Sequence, residues 1–402
     1  MTPDGRRSVV LVRPVRVTAA PPWAPGPLPL RVGDLTATAD RRSGYFSAPC
    51  NRILYGTPAR PTRWHRPAGE PFGTADLFGV ELLVPDPDDP HAGLLVAHLA
   101  DSADVQLDLV RAAAGRRGAV PAPDLQQLAE PFGTVDVAAR TFTVAFRSST
   151  GPATPPPDLA PELPWTAAQG WLWQLATRAS TADYPPDPDH GERHPAGTVR
   201  LSADWRALIG RDGAAFVALR PDRGAGDPFL AHAHQYAHTT YLDALLLGMI
   251  QRASVERMVL ASAAAFDAPD LGRHLEHLQA RAARFRTIYW LRDASSHGHA
   301  NSILDAYHAA HELPERFAAV LSEIADLNRT VQAREAEHVA AALGVLTVVG
   351  LPAGIALETL QALDANSPRD LALAAGFALT VTAGLFCTRV GRLLIRQIRA
   401  WR

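Results

Sequence analysis

Cysteine is nearly absent from this chain of 402 residues: only Cys50 and Cys387 occur. Two thiols so far apart exclude a disulfide framework and fit a chain kept in a reducing compartment. An excess of basic charge is missing too. The formal net charge is -2, which gives no support for a nucleic-acid partner. The opening MTPDGRRSVVLVRPVRV has a four-residue apolar run before Arg13, shorter than a signal-peptide core, so it reads as a first strand. Walker A loops, G-x-S-x-G elbows and dinucleotide fingerprints are absent, and HGERH at 190–194 is not the zincin order. These absences argue against an enzyme.

Charge is also missing from two C-terminal stretches. No charged side chain occurs over about 19 residues from Val339 to Leu357, nor over about 18 from Leu371 to Thr388. A helix needs roughly 20 apolar residues to cross a bilayer core of ~30 Å, so both runs read as transmembrane helices. The polar turn DANSPRD between them makes a hairpin. Five arginines from Arg389 to Arg402, with no acid among them, keep the tail in the cytoplasm. Both termini are then cytoplasmic, and the expected location is the inner (plasma) membrane.

The rest divides by pattern. SVVLVRPVRV, ADLFGVELLV, GLLVAHLA, VDVAARTFTVAFR, TVRLSADW and AAFVALR look like strands, with helical patterns at Asp104–Ala114 and Ala167–Ala179. The string EPFGTAD at 70–76 returns as EPFGTVD at 130–136, each before a strand; shared turn chemistry explains it as well as a repeat does. The expected organisation is an α/β domain over 1–148, a Pro-rich surface linker over 149–164 and more of the α/β domain over 165–238. An antiparallel helical region (239–313) and a stalk helix (314–337) follow. The first span covers 338–363, the turn 364–370, and the second span with its basic tail 371–402. Along the stalk, Phe317, Val320, Ile324, Leu327 and Val331 form a heptad seam suited to another helix, either in this chain or from a neighbouring subunit.

This layout is an α+β cytoplasmic domain followed by long helices and a C-terminal two-helix transmembrane hairpin. It resembles the CorA-like magnesium and cobalt transporters, best over roughly residues 198–396. The residues that carry the likeness are TVRLSADWRALIGRDGAAFVAL, YLDALLLGMIQR, FRTIYWLRDASSHGHANSILDAYH and VLTVVGLPAGI. The resemblance implies a homo-oligomer, a pentamer in that family, in contact with membrane lipid. It also implies a divalent cation such as magnesium as transported or regulatory ion, and no other cofactor. The family's Gly-Met-Asn signature is missing; Gln361, Ala362 and Leu363 stand in its place.

Two function classes follow. One is an oligomeric cation channel gated by its cytoplasmic domain. The other is a membrane-anchored sensor or effector module, for example of a bacterial defence or stress system, without selective divalent transport. For the channel, Leu343, Thr347, Leu351, Gly354 and Glu358 share one helix face and would line the pore, with Glu358 as a carboxylate ring. In HAHQYAH, His234 and His238 are spaced i, i+4 and could share a metal ion if that segment is helical.

Overall fold

The computed structural model describes residues 5–32, 35–86, 89–116, 120–186, 195, 197–265, 271–288, 290 and 294–345, together with isolated positions between 347 and 383. The chain forms two compact units. One is Met1–Leu260 with Ala280–Ala319, and the other is Ala261–Gln279 with Val320–Arg402.

The first unit begins with the long strand β1 (Arg7–Val17). Short pieces follow: β2 (Ala24–Pro25), β3 (Leu30–Val32), β4 (Leu35–Ala37), α1 (Ala39–Ser43), α2 (Ala48–Leu54), β5 (Gly56–Thr57) and β6 (Arg60–Pro61). Three strands then run in sequence: β7 (Arg63–Phe72), β8 (Ala75–Leu83) and β9 (Ala92–Ala100). After α3 (Gln106–Ala113), α4 (Leu125–Ala129) and β10 (Gly133–Val135) come β11 (Phe142–Arg147) and α5 (Ala167–Thr177). The unit continues through β12 (Thr198–Arg200), β13 (Trp205–Ile209), β14 (Gly213–Ala218) and α6 (Pro228–His238). The remaining helices are α7 (Thr240–Ala265), α8 (Leu271–Ile288), α9 (Gly298–Ala310) and α10 (Leu313–Val345).

Ten strands build one mixed sheet in the order β12-β13-β14-β11-β1-β9-β8-β7-β2, with β10 added beside β1. Among the described residues only β11 and β14 pair in parallel. β1 lies near the middle and is buried along most of its length, which explains its unbroken Val/Leu run: a strand covered on both faces needs no polar alternation. Pro67 and Pro71 are tolerated in β7 because this strand is paired on its outer side by only two residues of β2.

Successive side chains of β1 divide between the faces. Val9, Leu11, Val15 and Val17 join Leu82, Leu95, Ala97 and Leu99 in a core closed by residues of α3, α4 and α5. Ser8, Val10, Val12 and Pro14 point the other way, where α6, α7 and α9 pack. There Tyr241 stacks on Phe216 at 5.8 Å, His234 meets Phe146 at 5.0 Å and Tyr307 meets Phe142 at 5.8 Å. The unit is thus a helix–sheet–helix sandwich, and its second face carries all the unusual chemistry.

Local sequence accounts for several boundaries. α5 starts with a capping box: Thr166 Oγ1 accepts from Gln169 N–H, and Gln169 Oε1 accepts from Thr166 N–H at 2.7 Å. α6 starts at Pro228 behind Asp227, whose carboxylate caps Leu230 N–H and is gripped by Arg220 at 2.5 and 3.0 Å. The Pro-rich stretch 149–164 has neither helix nor strand, but it is not a free linker. Trp171 Nε1 donates to the carbonyl of Thr154 and Gln174 Nε2 to that of Pro157, both at 2.8 Å, pinning the stretch along α5. The twin strings differ in role: EPFGTAD forms the β7–β8 hairpin turn, whereas EPFGTVD leads from α4 into β10. VDVAARTFTVAFR is broken by a turn between β10 and β11.

In the second unit, Leu275 and Leu278 of α8 and Val320, Ile324 and Leu327 of α10 are buried. The expected stalk seam is therefore covered within a single chain, as the stripe of an amphipathic helix. Val331 is half-buried, and Arg329, Glu335 and Glu337 are exposed. The transmembrane hairpin is corrected: among the described residues no helix is long and apolar enough to cross a membrane. The fold class with two spans, the membrane character and the inner-membrane location fall with it. Leu351, the turn 364–370 and the basic tail 389–402 lie outside the described residues.

Candidate functional site

The second face of the sheet buries a four-charge cluster. Asp243, in the first turn of α7, accepts from Arg42 Nε (3.0 Å) and Nη2 (2.7 Å), from Arg63 Nη1 (2.6 Å) and from the Tyr55 hydroxyl (2.7 Å). Glu81 on β8 accepts from Arg63 Nη2, from Arg42 Nη1 at 3.3 Å and from Leu28 N–H at 2.5 Å. Burial alone would raise both carboxyl pKa values, but the two guanidinium groups outweigh it. Glu81 is held well below the usual range and Asp243 is lowered. The same burial pushes the Tyr55 phenol well up, so it stays a donor. Two positive and two negative charges balance, and α1, α2, β7, β8 and α7 are clamped together.

Glu81 also orients a chain of imidazoles. It is an acceptor only, so His98 must donate through Nε2, 3.4 Å away, leaving Nδ1 to accept. His238 then donates from Nδ1 at 3.0 Å, and its Nε2 accepts from the Ser8 hydroxyl at 2.6 Å. Ser8 Oγ in turn accepts from His234 Nε2 at 2.9 Å. Every tautomer along the chain follows from one carboxylate. His234 and His238 do share a helix face, as their spacing predicts, with ring centroids 4.9 Å apart. Both nitrogens converge on a serine, however, and among the described residues no group of three or more His, Cys, Asp or Glu side chains is placed to hold a metal ion. Burial first, with Arg6 adding, holds His234 down to about 4; burial with His234 and His98 holds His238 well below its ordinary value.

The same face opens into a cavity of about 700 Å³ further along β1. Its apolar walls come from Val12 and Pro14 of β1, Leu94 of β9, Phe142 of β11, and Met249 and Ile250 of α7. α9 contributes Tyr307 and its C-cap residue His311, with ring centroids 4.4 Å apart. α9 approaches α7 closely because position 248 is glycine: a Cβ there would lie 2.5 Å from Cδ1 of Tyr307. Tyr307 is 0% exposed and His311 9% exposed, yet Tyr307 Oη and His311 Nε2 have no hydrogen-bond partner. Burial raises the Tyr307 phenol; burial, then Arg252 and Arg211, holds His311 down to about 4. Both are neutral hydrogen-bonding groups at neutral pH. Charged groups ring the cavity in pairs: Asp212 with Arg140 and Arg178, and Asp86 and Asp89 with Arg257.

The residues expected along a pore lie elsewhere. Leu343, 62% exposed, is near the end of α10, and the Thr347 hydroxyl donates to its carbonyl at 2.8 Å. Gly354 and Glu358 are helical and exposed, and Leu351 is outside the described residues. Sequence reasoning missed Tyr307 and His311. Their signal is weak but present, since Ile303, Tyr307 and His311 repeat at i, i+4, i+8. The buried charge cluster has no local signal, because Arg42 and Asp243 are 201 residues apart.

Comparison of the chain with protein-family models, with curated proteins and with solved structures finds no match. The CorA-like resemblance therefore rests on the residues quoted for it.

Proposed function

We propose that the first unit is a small-molecule-binding module, and that the cavity between the sheet, α7 and α9 is where the ligand sits. One observation carries this reading. A cavity of about 700 Å³, within the range of ligand pockets, holds a fully buried tyrosine hydroxyl and a buried imidazole nitrogen with no partners. Leaving a buried polar atom unpaired costs about 1–3 kcal/mol, so two such atoms in one cavity are best explained by a ligand that satisfies them.

This keeps the sensing part of the sequence expectation. The channel part requires membrane spans and is not carried forward. Binding is favoured over catalysis because the serine in the Ser8–His238–His98–Glu81 chain, which outwardly resembles a hydrolytic relay, is 1% exposed and out of a substrate's reach. The test is a fragment screen read by ¹³C-methyl methionine NMR. Met249 lines the cavity and Met258 the smaller neighbouring one of about 250 Å³. Fragments that bind here shift the Met249 methyl and leave Met258 in place; a library that never moves Met249 defeats the proposal.

A further inference from the structure

The chemistry of the unpaired atoms narrows the ligand. On the α7 side of the cavity Arg252, whose side chain is 34% exposed, adds a guanidinium whose Nε has no hydrogen-bond partner and faces Glu256 at 3.5 Å as an ion pair. A guanidinium N–H can only donate, a phenol donates most strongly, and an imidazole donates from Nε2 in one of its two tautomers. Three donors on one wall call for an acceptor. The acids around the cavity already hold cations or backbone. Asp212 binds Arg140 and Arg178 at 3.1 and 3.0 Å, and Arg257 binds Asp86 at 2.9 Å and Asp89 at 3.1 Å. Glu256 stands near Arg252 and Arg316, and Asp136 accepts from Ala138 N–H at 2.9 Å. The anionic groups are committed, whereas Tyr307 Oη and His311 Nε2 are not, and Arg252 holds Glu256 only at 3.5 Å.

We infer that the cavity selects organic carboxylates, with the carboxylate on Arg252, Tyr307 and His311 and an apolar body against Phe142, Met249 and Ile250. This rests on the ligand-binding reading above and adds the ligand's class. A carboxylate brings acceptors alone, so it would fix the His311 tautomer with its proton on Nε2. Charge-assisted bonds to such a group are the strong class, and the surrounding apolar wall strengthens them further.

The probes are matched sets in which phenyl, naphthyl and cyclohexyl bodies carry a carboxylate, a carboxamide or an ammonium group, titrated at pH 7.5 with the Met249 methyl as readout. Carboxylates are expected to bind roughly tenfold or more tighter than their matched amides and ammonium analogues. Tyr307→Phe and Arg252→Gln are each expected to remove most of that advantage. Tyr307→Phe deletes only an unpaired hydroxyl, so it carries the test even if Arg252→Gln does not fold. Amides or ammonium compounds that shift Met249 with equal or higher affinity overturn the carboxylate class and leave the cavity reading standing. If no member of any set moves Met249, both fail together.

Discussion

At the scale of single residues, the choice of cation is the first thing to explain. The chain contains no lysine; all 39 of its Lys-plus-Arg residues are arginine. Arg42 and Arg63 show what that allows. A buried lysine sheds its proton readily, whereas a guanidinium keeps its charge and spreads several donors over two carboxylates. Removing one charge from the cluster should therefore be costly. Asp243→Asn leaves two guanidinium groups facing Glu81 alone, and a stability loss of roughly 3–5 kcal/mol is expected in denaturant unfolding. Tyr307→Phe should behave in the opposite way. Without ligand it removes a hydroxyl that has no partner, so the melting temperature should hold or rise slightly. A clear drop would mean that the hydroxyl is satisfied within the protein.

Elements were legible where their pattern is local. The Val/Leu run of β1, the alternation at 75–84 and 93–100 and the helical period at 167–179 all appear where the sequence put them. The twin EPFGT strings show the limit of that reading. Gly73 takes a φ of +63° in a hairpin turn with open space around it, whereas Gly133 pairs with Val17, and a Cβ there would lie 2.1 Å from the carbonyl oxygen of Arg16. Gly73→Ala should cost about 1–2 kcal/mol through the left-handed backbone alone. Gly133→Ala should cost more than about 3 kcal/mol, because the β1–β10 pairing must part. Differential scanning calorimetry of both variants distinguishes the two causes. Gly248→Ala pits helix propensity, a gain of about 1 kcal/mol, against the ring of Tyr307. The clash should win, lowering the melting temperature and altering the Met249 resonance in the same sample. The stalk seam was read correctly as apolar, but a heptad cannot say whose helix covers it, and here the covering is within the chain.

For the whole molecule, the buried histidines set a pH range. His234, His308 and His311 are held near 4 by burial and His238 well below its ordinary value, against about 6.5 for a free side chain. Their folded-state values are depressed, so the fold prefers the neutral rings. Their contribution is complete above pH 6.5 and is lost as pH falls from there towards 4, where the unfolded chain binds more protons. The lowered pKa values of Glu81 and Asp243 act in the same direction at the acid end. Unfolding between pH 6 and 4.5 should therefore take up about two protons or more, measurable from the pH dependence of denaturant midpoints; an uptake near zero would contradict the buried neutral rings. The sequence by itself determined strands β1, β8, β9, β11 and β14, the helices α3, α5 and α10, the amphipathic character of α10 and the absence of familiar catalytic motifs, because each depends on neighbours a few positions away. Only the tertiary structure decided which face of the sheet carries charge, that Ser8, Glu81, His98 and His238 form one hydrogen-bonded chain, and that Tyr307, His311 and Arg252 line one cavity. Those contacts join residues up to 230 positions apart, and hydrophobic periodicity holds no information about which distant polar groups will be buried together.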